Sequence, residues 1–419
     1  MTSAEATPRY TATIDEVITT VVMARVTDFF GFFVYAIASA LVFPQLFFPT
    51  LDPLGGTLAS FAIFSLAFLA RPVASLAGRS LQHKIGRVGK VSFALILLGT
   101  STVAIGLLPG FEKIGWFAPV LLAFLRILQG LGLGGAWDGL TLQLQNVAPD
   151  SRKGLYAMVP QLGGPIGFVV AASIFFVLKG FLTEAEFLQW GWRFAFFAVM
   201  AVNVVSLYAR VRLLNSELGV APEVMRSAPL PELVRNEGKT IFLSACLPLA
   251  SYALFHMVTV FPLAFAAIYE HFEIADILIV QLIGGALAIL TVIVSGFLAD
   301  RYNRRTVIRL SSILIVVLSL TIGTLAHYPM LYILFGFMVL GLAYGQASAI
   351  VPHRFPAQYR YSGSAMATNL SWILGAAFAP LVGIGLTAAF GLWAAGLYLL
   401  SGALVTFAAL QLLNRQSPA

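Results

Sequence analysis

Residues 17–44 read VITTVVMARVTDFFGFFVYAIASALVFP, a run that is mostly apolar or aromatic and contains one arginine and one aspartate. A helix needs about 20 predominantly apolar residues to cross the hydrocarbon core of a bilayer. The run is too long and too aromatic for a cleaved signal peptide, and it lacks a small-residue cleavage site. It therefore predicts a transmembrane helix, and its two charged residues need an explanation.

Composition extends this prediction to the whole chain. Of its 419 residues, 59% are hydrophobic and 10% are charged, and the mean hydropathy is +0.90, which excludes an ordinary water-soluble domain. Only helices and closed barrels satisfy their backbone in lipid, and the apolar runs lack the alternation of barrel strands. We therefore predict an all-α polytopic membrane protein with twelve transmembrane helices. The predicted spans are 17–44, 55–78, 88–109, 116–146, 153–180, 190–213, 239–268, 276–299, 305–326, 329–351, 362–388 and 390–413.

The basic residues are concentrated in the loops on one side of the predicted spans. With the N-terminus inside, the opposite loops carry few cations, chiefly Lys113, Lys179 and Arg193. This is the positive-inside pattern, so we predict that both termini are cytoplasmic and that the formal charge of +7 does not indicate nucleic-acid binding. The one cysteine, Cys246, excludes a disulfide within the chain. The cytoplasmic loops carry Arg79, Lys84, Arg87, Lys90, Arg152, Lys153, Arg301, Arg304 and Arg305.

A polar connector containing prolines divides the spans six and six. It covers residues 214–238, so we predict a first half of residues 1–213 and a second half of residues 239–419. Basic turns that contain glycine follow the second span, GRSLQHKIGRVGK (78–90), and the eighth, GFLADRYNRRTV (296–307). Such internal symmetry is typical of transporters and indicates two pseudo-symmetric six-helix bundles around a central cavity. No Walker-type phosphate-binding loop occurs in the sequence, so ATP is not expected to drive the protein.

Six further motifs occur in order along the chain, and together they resemble the major facilitator superfamily and, within it, the metabolite:proton symporter family. The resemblance covers nearly the whole chain. It implies a secondary active transporter, not an enzyme, that moves a small organic acid or zwitterion together with a proton by alternating access. The motifs are AIASALVF (36–43), FLARPVA (68–74), RILQGLGLGGAW (126–137), APDSRKGLYAMVPQLGGPIG (148–167), GWRFAFF (191–197) and FPAQYRYSGSAMATNL (355–370).

The acidic residues of the spans depart from the family pattern. The family reads roughly Glu-Trp-Tyr-Asp in the first span and Gly-Gly-Glu-Trp-Gly in the fourth. This chain reads DFFG (28–31) and GAWD (135–138) at those places. One acid is thus kept as Asp28, and another occurs as Asp138, so both are candidate proton-coupling residues. Asp138 is alternatively an inner gate partner of a loop cation or a peripheral ion pair.

Asp28 lies near the middle of its span, roughly 18 Å deep at the rise of an α-helix. An aspartate there costs about 2.5 to 3.5 kcal/mol, so it should face a watery cavity or carry a partner. Arg126 lies at about the same depth in the fourth span, and we predict that the two charges neutralise each other. Our hypothesis is that a proton from outside neutralises Asp28 and frees a guanidinium to bind a substrate carboxylate.

Other polar residues of the spans are candidates for substrate binding. Arg25 either binds the anion or pairs with Asp28 at i,i+3, and Arg126 either binds substrate or packs helices through carbonyl contacts. His256, one turn from Tyr252, either lines the cavity and senses pH or is a packing residue. The predicted substrate-binding residues are Arg25, Tyr35, Arg126, Gln129, Tyr252, His256, Asn369 and Trp372.

The two symmetric loops are candidate gates. The family resemblance implies a latch in which a loop carboxylate meets basic side chains and a helix end across the two halves. This chain keeps that acid as Asp300 but has His83 in the first loop, where the latch is therefore in doubt. The alternative is a solvated basic loop that only fixes topology. The predicted gating residues are His83, Lys84, Arg87, Asp300, Arg301 and Arg304.

Two other functions share this fold. One is a proton-coupled efflux antiporter, whose fifth-span signature is partly echoed in GGPIG (163–167). The other is an uncoupled anion facilitator or exchanger, and a receptor is a more distant third. We predict a monomer in the inner membrane, with a small organic anion or zwitterion and protons as partners, and with no cofactor, metal or nucleic acid.

Overall fold

The structure, a computed structural model, describes residues 13–136, 142, 144, 148–214, 229–269 and 272–414. Within these residues the secondary structure is helical, without a strand. Eleven helical segments of the described part are long and apolar enough to cross a membrane. The ninth predicted span is a shorter α-helix of 17 residues, Arg304–Leu320, which a 3-10 turn at Ile322–Ala326 continues.

The first half contains six spans. The second and third belong to one helical run, Pro53–Leu107, that Gly86 divides. The fifth changes from α-helix to a 3-10 turn and back at Val159–Leu162. The spans are α1 (Ile14–Leu41), α2 (53–85), α3 (87–107), α4 (Phe117–Gly135), α5 (Lys153–Met158 and Gly163–Phe181) and α6 (Arg193–Leu214).

The second half has the same order of spans. Its fifth member is interrupted by a π-helical turn at Ile373–Ala377. The spans are α7 (Leu249–Tyr269), α8 (Ile274–Tyr302), α9 (Arg304–Leu320), α10 (Pro329–Ala347), α11 (Arg360–Trp372 and Ala379–Phe390) and α12 (Leu392–Asn414).

The connector is shorter than predicted. A helix, Leu230–Cys246, begins inside residues 214–238 and packs against α11 and α12. Pro229 precedes its first turn, where a missing backbone N–H costs no hydrogen bond. Leu233 is buried, and the Tyr359 hydroxyl donates to Glu232 at 2.6 Å. These contacts order the second part of the predicted linker.

Each of the two symmetric loops contains one residue with a positive φ. Gly86 has φ 75° and ψ 174°, and Asn303 has φ 83° and ψ 152°. Asparagine is among the residues that best tolerate positive φ, and here its side chain also accepts from the Thr306 backbone N–H at 2.9 Å, which caps α9. Asn303 thus adopts in the second loop the positive φ that Gly86 adopts in the first.

The halves meet through several helix pairs, among them α1 with α7, α2 with α11, and α5 with α8. The last two pairs are equivalent under the pseudo-symmetry, because α8 corresponds to α2 and α11 to α5. Close approach at α5 depends on the first two glycines of GGPIG (163–167). A Cβ on Gly163 would lie 2.3 Å from the Arg25 Cβ, and one on Gly164 would lie 2.9 Å from the Tyr344 ring. These contacts place α1, α5, α7 and α10 around one central region.

Candidate functional site

Asp28 forms an ion pair, but its partner is not the predicted one. Its carboxylate accepts from Arg210 of α6 at 2.7 Å and lies 3.9 Å from Arg25. Arg210 is only 2% exposed, whereas Asp28 keeps 16% of its side-chain surface accessible. The predicted pairing with Arg126 is therefore wrong in this structure, although the prediction of an arginine partner for Asp28 matches the geometry.

The backbone also holds Arg210. Its guanidinium donates to the Ala24 carbonyl at 2.8 Å and to the Ala136 carbonyl at 3.4 Å. In the sequence, Arg210 lies in the last turns of the sixth span and is readily interpreted as a residue of the cytoplasmic boundary. Its side chain instead reaches inward along α1, and only tertiary packing places it beside Asp28.

Arg126 lies in a separate polar network inside the first half. Its side chain is 1% exposed and donates to the Phe64 carbonyl at 3.1 Å and to Gln129 at 3.0 Å. Gln129 donates in turn to the Thr102 hydroxyl at 2.8 Å. The guanidinium carbon lies 3.8 Å from the centre of the Tyr35 ring. The contacts of Arg126, Gln129 and Tyr35 therefore agree with the alternative of helix packing.

A narrow space joins the two networks. Asp28, Arg126, Gln129 and Asn203 all line a cavity of about 10 Å³, which is close to the minimum that one water molecule requires. The equal depth of Asp28 and Arg126 was thus predicted correctly, but their side chains bind different partners on its two sides.

A second cluster of polar groups lies where the halves meet. Arg25 and Arg71 are within electrostatic range of each other, of Tyr252 and of Tyr344. The Nε atoms of both arginines and the Tyr344 hydroxyl are buried without a hydrogen-bond partner among the described residues. We call Arg25, Arg71, Tyr252 and Tyr344 the arginine cluster. Because guanidinium groups only donate and the tyrosine hydroxyls can donate, this cluster suits an anion.

Two members of the arginine cluster were missed in the sequence. Arg71 belongs to the motif FLARPVA (68–74), which served only to support the family resemblance, and Tyr344 is one tyrosine of an apolar span. An arginine within a membrane span is a functional candidate by default, so Arg71 carried a usable signal. Tyr344 carried none, because its position depends on the rotation of α10 about its axis.

Aromatic rings surround the arginine cluster. Tyr252 stacks on Trp372 with ring centres 4.1 Å apart and planes 18° apart. Phe29 lies 5.8 Å from Trp372 and 5.9 Å from Phe255, and the Arg25 guanidinium lies 5.1 Å from the Phe29 ring. The predicted residues Tyr252 and Trp372 are therefore next to Arg25, in a wall contributed by both halves.

His256 lies in a shell of five rings. We call this shell with its histidine the aromatic layer. His256 is fully buried, and both of its ring nitrogens lack a hydrogen-bond partner among the described residues. The surrounding rings, with their centroid distances from the imidazole, are Phe32 (5.4 Å), Phe64 (5.5 Å), Phe33 (6.2 Å), Phe255 (6.2 Å) and Phe68 (6.3 Å).

One of the two loops forms a latch. Asp300 accepts from the Leu155 N–H at 3.1 Å and from the Gly154 N–H, at the N-terminus of α5. Arg304 donates to Gln346 at 3.2 Å, and Gln346 donates to the Gly154 carbonyl at 3.1 Å. Asp300 and Arg304 therefore join the halves, at the end of the molecule that carries the basic loops.

The other predicted gating residues are placed differently. His83 and Lys84 are exposed, and Arg87 is half-buried. Arg301 is exposed and lies 5.3 Å from the Tyr302 ring. The predicted residue Asp138 lies outside the described residues.

Asn369 also joins the two halves. Its amide donates to the Ser75 hydroxyl at 3.0 Å, from α11 to α2. Ser75 is one turn beyond Arg71, so this contact lies at the latch side of the arginine cluster. In this state, Asn369 connects the halves and does not point into a described cavity.

A wide opening separates the halves at the opposite end. A cavity of about 920 Å³ lies between the end of α1, the start of α2 and the α7–α8 connection. Ala40, Leu41, Ala266 and Ala267 line it, with Asp52, Lys179, Glu184 and Glu273 among its charged groups. We call this cavity the outer vestibule. The molecule is thus latched at one end and open at the other.

Comparison with known proteins gives consistent matches over the chain. A family model, Major Facilitator Superfamily, matches residues 29–371. The chain is 37% identical over 405 residues to the inner membrane metabolite transport protein YhjE of Escherichia coli (strain K12), over 92% of this chain and 90% of that protein. It is 30% identical to the shikimate transporter of the same organism, over 91% and 90% of the two chains.

More distant relatives and solved structures agree. The proline/betaine transporter of Escherichia coli (strain K12) is 27% identical over 84% of this chain and 74% of that protein. A crystal structure of a D-xylose-proton symporter superposes with a TM-score of 0.71 at 14% identity, over 94% of this chain and 98% of that one. At this identity the structural likeness concerns the fold alone.

Proposed function

Because this chain belongs to the Major Facilitator Superfamily, we propose that it is a symporter that carries a small organic acid or zwitterion together with a proton. Family membership makes it a transporter and not an enzyme. The substrate class and the proton coupling are the proposal. They are supported by relatives named for shikimate and for proline and betaine, and by a fold shared with a proton symporter.

One observation carries the proposal. Arg25 and Arg71 lie together in the central region, and the nearby carboxylate of Asp28 is closer to Arg210, at 2.7 Å, than to Arg25, at 3.9 Å. Two guanidinium groups that face a carboxylate already bound more closely by Arg210 favour binding of a second carboxylate, because a bidentate arginine contact is charge-assisted. The substrate anion would supply the missing negative charge.

Asp28 is the proposed proton site. When it is ionised, it attracts both Arg25 and Arg210. A proton on Asp28 removes that attraction, and Arg210 then remains held by the Ala24 carbonyl at 2.8 Å. Arg25, which lies 3.9 Å from Asp28 and 5.1 Å from the centre of the Phe29 ring, then becomes available to the substrate carboxylate. Proton and anion therefore help each other to bind, which means that the coupling free energy between the two sites is favourable.

Alternating access follows from the latch and the outer vestibule. With Asp300 bound to the N-terminus of α5, substrate and proton enter from the outer vestibule. Release on the other side requires that Asp300 and Arg304 give up their contacts across the halves. In the proposed cycle, filling of both sites favours that rearrangement.

The test uses purified protein in liposomes with the substrate outside and a pH-sensitive dye in the bulk solution. Candidate substrates are first selected as ligands that raise the melting temperature of the purified protein, because binding to the native state stabilises it. The expected result is alkalinisation of the outside that depends on the added substrate. Acidification outside would instead indicate an antiporter, and uptake without proton movement an uncoupled facilitator. Either of these results would overturn the proposed symport.

A further inference from the structure

The aromatic layer lies between the arginine cluster and the outer vestibule. On α1, Phe33 is eight residues beyond Arg25, and Leu41, which lines the vestibule, is eight residues further. Each step is about 12 Å of helix. On α7, Tyr252, His256 and the vestibule residue Ala266 follow in the same order. A solute that moves from the vestibule to the arginine cluster must therefore pass the layer.

The layer is closed in this structure. Phe33 of α1 packs on Phe255 of α7 with ring centres 5.3 Å apart, and both rings are at most 1% exposed. His256 lies among these rings with no accessible surface. Closure therefore depends on contacts between rings of the two halves. A tilt that moves the halves apart at this end would break these ring contacts.

The closed layer accommodates a neutral imidazole but not a charged one. A charged imidazole needs partners for two N–H groups, and neither nitrogen of His256 has one among the described residues. Leaving an ion buried and unpaired costs several kcal/mol. The neighbouring elements α1, α2 and α7 face the imidazole with rings, and among the described residues Arg126 of α4 is the charged group within electrostatic range. The positive charge of Arg126 disfavours a positive charge on the His256 imidazole.

Cation–π contacts do not offset this cost. Such a contact contributes about 0.5 to 2 kcal/mol. Two of the five rings, Phe32 and Phe64, already lie 5.7 and 4.9 Å from the Arg126 guanidinium. In an opened and hydrated layer, by contrast, water can solvate the charged imidazole.

We propose that His256 is a proton-binding site in the aromatic layer, separate from Asp28, and that a proton taken up from the outer vestibule favours the open state of the layer. The layer is thereby an outer gate that acid opens. Because the proton binds the open state and not the closed one, linkage requires that a lower external pH raises the open population. This proposal does not depend on proton-coupled transport at Asp28.

The test measures how fast a membrane-impermeant thiol reagent, added from outside, reaches a cysteine behind the gate. Cys246 is first replaced by Ala. Ser75→Cys places a reporter on the inner side of the arginine cluster, where the Ser75 hydroxyl meets Asn369. Gln45→Cys places a matched reporter in the exposed lining of the outer vestibule. The ratio of the two rates removes the pH dependence of the thiol chemistry.

We expect the ratio to rise about tenfold between about pH 8 and about pH 5, a range that brackets the ionisation of an imidazole in water. In His256→Phe and His256→Gln variants, the ratio should be independent of pH. A double Phe33→Ala, Phe255→Ala variant lacks two rings of the gate. Its labelling rate at Ser75→Cys is the reference for an open gate. Normal labelling of Gln45→Cys in each variant checks that the protein is folded.

Two results would overturn the proposal. One is a ratio that does not change with pH in the protein with His256 intact, while the double alanine variant labels fast. The other is a pH dependence that persists in both His256 variants. Neither result bears on symport, which the dye assay tests independently.

Discussion

The two halves share one fold but carry their charges in opposite places. Within the spans of the first half, Asp28 and the arginines Arg25, Arg71, Arg126 and Arg210 are partly or fully buried, whereas residues 249–269, 329–353 and 361–414 of the second half contain no Asp, Glu, Lys or Arg. In the two equivalent loops the acidic residue belongs to the second half, where Asp300 binds the N-terminus of α5. The loop of the first half has the exposed His83 at the equivalent position. The first half thus supplies the ionic groups of the site, and the second half supplies rings and the latch. A substitution of a charged group in one half should therefore have a different effect from the matched substitution in the other half.

The largest effect is expected for Asp28→Asn. This variant cannot release Arg25 by protonation, so a pH gradient should no longer drive substrate accumulation, and the internal concentration should only equilibrate with the external one. Exchange of internal for external substrate should persist, because the arginine cluster is intact. Accumulation and exchange of labelled substrate in proteoliposomes measure the two properties separately.

Asp276→Asn is the matched control in the second half. Asp276 is exposed in the first turn of α8, where an acidic side chain contributes about 0.3 to 1 kcal/mol to the helix. Accumulation should stay at the level of the unchanged protein. Accumulation by Asp28→Asn against a gradient would show that the coupling carboxylate lies elsewhere.

The next effect separates two arginines of the first half. Arg71→Ala removes a guanidinium from the arginine cluster, and a hydrogen bond to a charged group contributes about 1.5 to 3 kcal/mol. We therefore expect KM for the substrate to rise about 10- to 150-fold, with little change in the melting temperature. The Nε atom of Arg71 has no hydrogen-bond partner among the described residues, so the variant loses no buried hydrogen bond there.

Arg126→Met should give the opposite pattern. This guanidinium satisfies the Phe64 carbonyl and Gln129 inside the bundle, so its loss should lower the free energy of unfolding by about 2 kcal/mol. KM should change far less than in Arg71→Ala. Thermal unfolding and initial uptake rates, measured on both variants, decide which arginine binds the substrate. A stable Arg126→Met variant with a strongly raised KM would reverse the assignment.

The fold could be predicted from the sequence because its main determinant is one-dimensional. Apolar runs of sufficient length specify the spans, and basic loops predict their orientation. The boundaries were less accurate where a helix is polar. Leu230–Cys246 begins in the predicted connector because the buried side chain of Leu233 and the hydrogen bond from Tyr359 to Glu232 order a segment of low hydropathy.

The site could be predicted only in part. Asp28 stands out because a carboxylate within a span is costly wherever the helix faces. Its partner Arg210 depends on which face of α6 meets α1 and on how far a long side chain reaches, and the sequence specifies neither. The same holds for Tyr344 of the arginine cluster. The position of a residue along its helix predicted that Asp28 and Arg126 lie near each other, and both line one cavity. Rotation about the helix axis, which the sequence does not specify, decides which side chains are in contact.

A smaller effect is expected for Asp300→Asn. The carboxylate accepts from two backbone N–H groups at the start of α5, and a neutral amide loses the charge assistance and the interaction with the helix dipole. A loss of about 1.4 kcal/mol would lower the latched population relative to the unlatched one about tenfold. Initial uptake at low external substrate should fall by a similar factor. His83→Asn, at the equivalent place in the first half, should change uptake less than about twofold.

The smallest effect, and the sharpest test of the comparison, is expected for His83→Asp. The packing of α2 on α11 is the symmetric counterpart of the packing of α8 on α5, so a carboxylate at position 83 should meet the N-terminus of α11 near Arg360. An exposed acid at a helix N-terminus contributes about 0.3 to 1 kcal/mol, which corresponds to a change of about two- to fivefold in turnover.

The informative form of this experiment is the double variant His83→Asp, Asp300→Asn. If the two loops are equivalent latches, the new acid should restore part of the uptake that Asp300→Asn loses, and His83→Asn in the same background should restore none. The comparison is internal, because both double variants carry the same damaged latch. Unchanged uptake in the first double variant would mean that the first-half loop is a solvated turn that fixes topology, and that latching in this molecule belongs to one half only.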